Sequence, residues 1–365
     1  MTGEQNWHAH ERDTTWSCAG PSVDAIAFHR SLSGYRPTPL VSLPDLAAEL
    51  NVAQVLAKDE SSRLGLPAFK ALGASWAIHR ALLDRQDSEP VTVVTATDGN
   101  HGRAVARFAR LMGHKAAIVI PTGVHPLAIQ AIRDEGADVT LVEGSYDDAV
   151  AAAAHVVEQD SNAVLVQDTA WEGYEDIPQW IVEGYATLFA EIDEQADELG
   201  LEAPALAIVP TGVGSLLQAA LAYYRSREDV DQTRVVSVEP TNAACVLASV
   251  RQGKPTTVDT GYTIMAGLNC GTPSTLAWPY MLHGLDGSVA VTDEQDAGAA
   301  RDLESMGIQA GPCGASGLAG LRLILTGPGS DERRHHLGID DDSSVVMIVT
   351  EGSAANPALA EAATT

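Results

Sequence analysis

Four stretches of this 365-residue chain combine residue types that can do chemistry. In ESSRLGLPAFKALGASWAIHRAL (60–82), Lys70 follows Pro67-Ala68-Phe69 and opens an amphipathic helical pattern. A helix start already favours anions, so a cation there is poorly placed. Partial burial would lower its pKa and make it the amine nucleophile that a Schiff-base lysine must be. Taken alone, the segment reads more simply as a surface lysine at a helix start. TATDGNHGRAV (95–105) places Gly99 and Gly102 in a turn whose N–H groups can hold a carboxylate, with Asn100 as a hydrogen-bonding amide and Asp98 as a base. Ordinary punctuation after a strand explains the same residues. In IVPTGVGSLLQAAL (208–221), Gly212 and Gly214 allow close backbone approach before a helix that starts near Ser215. That makes a phosphate cup, although the stretch is neither a Walker loop nor GxGxxG and a lone GVGS is weak. In VQDTAWEGYEDIPQW (166–180), Asp168 ends an apolar run, either as a turn residue or as an acid–base group, with Trp171, Glu172 and Tyr174 after it as cleft lining or packing.

The elements that must position these residues are of one kind. From residue 90 the chain alternates short β-branched runs with helical stretches: PVTVVTAT, GRAVARFARLMG, KAAIVIP, LAIQAIRDEG, ADVTLVEG, YDDAVAAAAHVVEQ and AVLVQD. Such repetition predicts a parallel sheet with helices on its faces. A second block has strands ALAIVP, RVVSVEP and SSVVMIVTEG, and a helix over VTDEQDAGAARDLESMG with Thr292 and Asp293 at its start. Residues 245–290 resist assignment, and TIMAGLNCGTPS (263–274) has no evident structural explanation. Two α/β blocks predict two lobes with a ligand cleft between them.

Composition narrows the partners. The formal charge of −27, from 49 acidic and 22 basic residues, disfavours nucleic acid and anionic lipid. Only four residues are lysine: Lys58, Lys70, Lys115 and Lys254. Cys18, Cys245, Cys270 and Cys313 form no CxxC pair, and the histidines of HAH and HHL lack ligand spacing, so no metal site is expected. The start TGEQNWHAHERDTTW has no apolar signal core and no stretch reaches membrane-spanning length, so the chain reads as cytoplasmic.

Taken together and in order, KDESSRLGLPAFKALGAS, TATDGNHGR, VQDTAWEGY with IPQWIVEGYATL, the GVGS loop and TIMAGLNCG resemble the fold-type II pyridoxal-phosphate (PLP) enzymes, and among them the diaminopropionate ammonia-lyase group. The resemblance runs from about residue 35 to 352. It implies an α/β fold of two open, twisted, mainly parallel sheets flanked by helices, with the cofactor in the interdomain cleft. It implies a large PLP-binding domain from 1–77 with 176–365, a small domain over 78–175, and a homodimer. Lys70 would carry PLP beside Phe69. Gly212, Val213, Gly214, Ser215 and Leu216 would cradle the phosphate, Asn100 would meet the phenolic oxygen, and Thr350 would face the pyridine nitrogen. The substrate, a small amino acid, would lie against Thr97, Asp98, Gly99, His101, Asp168 and Tyr174.

The implied reaction is α,β-elimination of 2,3-diaminopropionate to pyruvate and ammonia. Lys70 would be the base on one face and Asp98 on the other, and Asp168 would recognise the β-ammonium or help protonate the departing nitrogen. The chain departs from the pattern at GPCGASG (311–317), where the group has a Gly-Glu-Ser-Gly-like segment: Pro312 and Cys313 replace Glu and Ser. Cysteines at the positions of Cys245 and Cys270 occur in some members, which puts them near the cleft mouth where they could pair. The rival readings are a serine/threonine dehydratase of the same fold, a β-replacing synthase, and a PLP-binding protein without catalysis. Asp98 and TAWEGY speak against the dehydratase, since a neutral β-hydroxyl needs no carboxylate partner.

Overall fold

The computed structural model describes residues 5–83, 85, 89–97, 99–227 and 233–355. Two sheets organise them. Strands β1 (Trp7–Ala9), β2 (Leu40–Ser42) and β3 (Gln54–Asp59) precede β4 (Thr92–Ala96), β5 (Lys115–Pro121), β6 (Asp138–Val142) and β7 (Ala163–Leu165). Then follow β8 (Leu206–Pro210), β9 (Arg234–Pro240), β10 (Gly287–Val291) and β11 (Ser344–Val349). The smaller sheet, ordered β6-β5-β4-β7, is parallel throughout. The larger is ordered β1-β10-β9-β8-β11-β3-β2, parallel except for the antiparallel three-residue strands at its two edges. The α/β expectation of two mainly parallel sheets flanked by helices is borne out.

The apolar runs became strands because helices cover both of their faces. The strands β8 and β10 are buried at every position. The alternation read from residue 90 onward matches β4 to β7 and their helices; AVLVQD ends as a strand at Leu165, so Asp168 lies in the loop beyond. Thr292 caps the helix Asp293–Ser305 in a capping box with Gln295, as its side-chain chemistry predicts. The stretch left unassigned holds helices Cys245–Gln252 and Trp278–Gly284 and the strand β10.

One contact between helices sets up the site. The helix Lys70–Leu82 crosses the helix Asp176–Glu198 at two glycines. A Cβ on Gly73 would stand 2.6 Å from the Tyr185 ring, and one on Gly184 would stand 2.6 Å from the Leu72 carbonyl oxygen. Neither position has room for a side chain, so the helices approach closely and Tyr185 comes to rest beneath Lys70. Among the described residues no helix is long and apolar enough to cross a membrane.

Candidate active site

Lys70 is the first residue of its helix, and loop contacts fix where it points. The Phe69 N–H donates to the Thr350 carbonyl (3.1 Å), tying the lysine to the end of β11. The Phe69 ring packs on Tyr185, with centroids 4.7 Å apart. From the other sheet, the loop after β7 delivers Asp168, whose Oδ2 accepts from Lys70 Nζ at 3.0 Å. Both side chains are mostly buried, at 25 % and 15 % exposure. Burial opposes the lysine's charge, but Tyr185 and Asp168 outweigh it, and the ammonium is held above its ordinary range. Asp168 is affected in the opposite sense: burial would raise its carboxyl, and the charges of His101, while that ring is protonated, and of Lys70 hold it well below the usual carboxylate range.

His101 completes this group. One ring nitrogen, Nε2, lies 2.9 Å from the Val166 carbonyl and must donate to it. In the neutral ring Nδ1 is then an acceptor, 3.9 Å from Asp168 Oδ2 and without a hydrogen bond among the described residues. Burial favours that neutral form by lowering the imidazole pKa. The Asp168 carboxylate is held from behind. Tyr146 Oη donates to Oδ1 (3.4 Å), and Gln167 Nε2 donates to Tyr146 Oη (2.7 Å) and to Oδ1 (3.3 Å). Gln167 is fixed in turn by Thr95 Oγ1 and the Ala96 N–H, both at 2.9 Å. Tyr146, Gln167 and Tyr185 escaped the sequence reading. For Gln167 the only local signal was its place beside Asp168.

Other expected site residues sit close by, some with different duties. Thr97 Oγ1 accepts from the N–H groups of Gly99 and Gly102, so it shapes the turn. A Cβ at Gly102 would meet Thr97 Cγ2 at 2.2 Å. The Tyr174 hydroxyl is taken up by backbone, donating to the Leu165 carbonyl and accepting from the Gln167 N–H, both at 2.9 Å, while its ring stacks on Trp171. It therefore reaches the site through the Asp168 loop. Asp98 lies outside the described residues. No disulfide joins Cys245 to Cys270.

Three features test whether PLP fits. Gly214, at φ +105°, precedes the helix Ser215–Arg225, whose start has no side-chain cap, which leaves its N–H groups to an anion. Neighbours close in on this cradle. A Cβ at Gly214 would meet Met281 Cε at 1.9 Å, and one at Gly212 would meet Cys270 Sγ at 3.0 Å and the Gly267 carbonyl at 3.1 Å. The TIMAGLNCG stretch is thus the wall of the cradle. Thr350 is 2 % exposed and its hydroxyl has no hydrogen-bond partner among the described residues, an arrangement that a ring nitrogen would satisfy. A lysine amine, an anion cradle and an orphaned hydroxyl suit this cofactor, with Asn100 at the start of the helix Asn100–Leu111.

Comparison with known proteins agrees. The family model described as pyridoxal-phosphate dependent enzyme matches residues 32–351. The diaminopropionate ammonia-lyase of Salmonella typhimurium is 35 % identical over 358 residues, covering 90 % of this chain and 88 % of its own. That of Escherichia coli K12 is 36 % identical over 352 residues, covering 90 % and 87 %. The crystal structure of the Escherichia coli enzyme in complex with D-serine aligns with a TM-score of 0.87 at 33 % identity, over 96 % of this chain and 94 % of that one. Fold, cofactor cradle and near-complete alignment agree, and the chain belongs to the pyridoxal-phosphate dependent enzyme family, beside the diaminopropionate ammonia-lyases.

Proposed function

We propose that this protein eliminates ammonia from 2,3-diaminopropionate, yielding pyruvate and ammonia, with Lys70, Asp98 and Asp168 as its catalytic residues. The observation that carries the reading is the acceptor pair beside Lys70: Asp168 Oδ2, with His101 Nδ1 at 3.9 Å. A substrate with a second ammonium has hydrogens to give to both acceptors, whereas a β-hydroxyl has one and carries no charge.

When bound, PLP withdraws electrons from the amino acid's Cα and makes its proton acidic. Lys70 would carry the cofactor with Phe69 beside it, residues 212–216 would hold its phosphate, and Asn100 and Thr350 would face its phenolic oxygen and ring nitrogen. A neutral hydroxyl at that nitrogen leaves it weakly protonated, which favours elimination. Lys70 Nζ takes the Cα proton from one face, and Asp98 takes it from the other. Asp168 keeps the β-nitrogen as ammonium, so the carbon–nitrogen bond breaks with its electron pair on nitrogen and ammonia leaves. Hydrolysis of the released enamine gives pyruvate and a second ammonia. Thr97, Gly99, His101 and Tyr174 border the substrate in this reading.

The reading includes a cytoplasmic homodimer with lobes 1–77 plus 176–365 and 78–175. The lobe division is supported by the smaller sheet lying wholly within 92–165. The test is pyruvate release from PLP-loaded protein given D- and L-2,3-diaminopropionate, D- and L-serine, and L-threonine. Diaminopropionate turned over well above serine is the expected result; serine or threonine alone would make it a dehydratase. Lys70→Ala should abolish covalent attachment of the cofactor.

A further inference from the structure

Glu351 follows Thr350 and stands between two helix starts, one from each side of the cleft. It is 5 % exposed. One oxygen, Oε1, accepts from the Cys313 N–H (3.2 Å) in the first turn of the helix Pro312–Leu325, which has no side-chain cap at Gly311. The other, Oε2, accepts from Asn100 Nδ2 (2.6 Å), the first residue of the helix Asn100–Leu111, which also has no side-chain cap. Both helix dipoles favour a carboxylate here. The surrounding backbone is built around this residue. The Gly311 N–H donates to the Glu351 carbonyl (3.0 Å), a Cβ on Gly311 would stand 3.0 Å from Glu351 Oε1, and one on Gly314 would stand 2.6 Å from the Glu351 carbonyl oxygen. The GPCG segment, where the chain departs from its group's pattern, is therefore packed onto Glu351.

The chemical consequence lies in the Asn100 amide. A carboxylate can only accept, so the amide must turn its NH2 toward Glu351, and one of the two amide hydrogens is used. The second remains for a group in the cleft. Were the amide to flip, Oδ1 would take that place and oppose a negatively charged oxygen. We propose that Glu351 is a positioning residue that fixes the Asn100 amide with its donor toward the cofactor's phenolic oxygen, and that it clasps the two lobes through their helix starts. The inference rests on the reading of Asn100 as the partner of that oxygen.

Absorbance of the PLP-loaded protein, titrated with pH, separates the two ideas. A donor at the phenolic oxygen stabilises its deprotonated form, so losing it moves the titration midpoint up by about one pH unit, the size of one hydrogen bond. Asn100→Ala and Glu351→Gln should both produce this shift, and the double variant should shift no further than either one. A shift in Asn100→Ala alone would overturn the role of Glu351 and leave that of Asn100 standing. No shift in either would overturn both. The wild-type chain without cofactor gives a second readout that depends on no variant folding. With asparagine side chains labelled with 15N, one amide proton of Asn100 should resonate downfield of the others. Two protons at solvent-like positions would overturn the inference.

Discussion

Two groups of buried charges lie a few residues apart in sequence and are built to opposite ends. In the first, Lys58, Glu60, Arg63 and Glu191 have fully buried side chains, and their charged groups are paired. Arg63 donates to Glu60 Oε2 (2.8 Å), Glu191 Oε1 (2.6 Å) and Thr38 Oγ1 (2.9 Å), and Lys58 Nζ donates to the Thr38 carbonyl (2.7 Å). Two positive charges meet two negative ones. In the second, Lys70 and Asp168 form one pair, while His101 Nδ1, the Tyr185 hydroxyl and the Thr350 hydroxyl are buried without hydrogen bonds among the described residues. Unmet polar groups in a fold are costly and demand an explanation. The saturated group pins the loop that leads into Lys70. The unsaturated one leaves its capacity for a ligand.

Breaking the saturated group should have the larger effect on the fold. Arg63→Ala would leave Glu60 and Glu191 buried beside an unfilled space, at a cost of about 3–5 kcal/mol in urea unfolding. A loss below about 1 kcal/mol would mean that the network is not a structural anchor. The reactive group should respond in chemistry instead. Asp168→Asn should lower the preference for diaminopropionate over serine, measured as the ratio of kcat/KM values, by on the order of 10–100-fold. An unchanged preference would remove Asp168 from β-ammonium recognition.

The smallest effect concerns acid. Burial would raise the Glu191 carboxyl, but its hydrogen bonds and charge contacts with Arg63 and Lys58 hold it below its ordinary 4.5. A depressed carboxyl adds stability that is complete above the unfolded value and is lost as pH falls toward the folded one. Stability should therefore decline as pH drops below about 4.5. In Glu191→Gln the proton uptake on unfolding in that window should be smaller by up to one proton. An unaltered pH slope would show that the residue does not titrate with folding.

The candidate site was legible along the chain only in part. A lysine after Pro-Ala-Phe, a Gly-Val-Gly-Ser turn between strand and helix, and Asp-Gly-Asn before a helix are each visible within about ten residues, since turns and helix starts are made by neighbours. Each alone reads as ordinary structure, and only their joint order resembles the family. The region 92–165 was legible from local pattern: its strands and helices are long enough to show their period. The three-residue strands Trp7–Ala9 and Leu40–Ser42 show none, and only their partners Gly287–Val291 and Gln54–Asp59 make them strands.

By itself the sequence determined the α/β architecture, because backbone geometry and apolar periodicity are short-range properties, and the joint order of its motifs carried the resemblance that points to Lys70 and the Gly212–Leu216 turn. It could not show that the charge-rich run LAKDESSR is interior. Lys58, Glu60 and Arg63 are charged residues in close succession, yet all three are buried, because Glu191 arrives from a helix 128 residues beyond Arg63. Nor could it show that Glu351 meets Asn100, 251 residues away, or that Tyr185 lies beneath Lys70. Those meetings were decided by tertiary packing. Whether a charge can stay buried depends on a partner within about 3 Å, and only the fold brings such partners together.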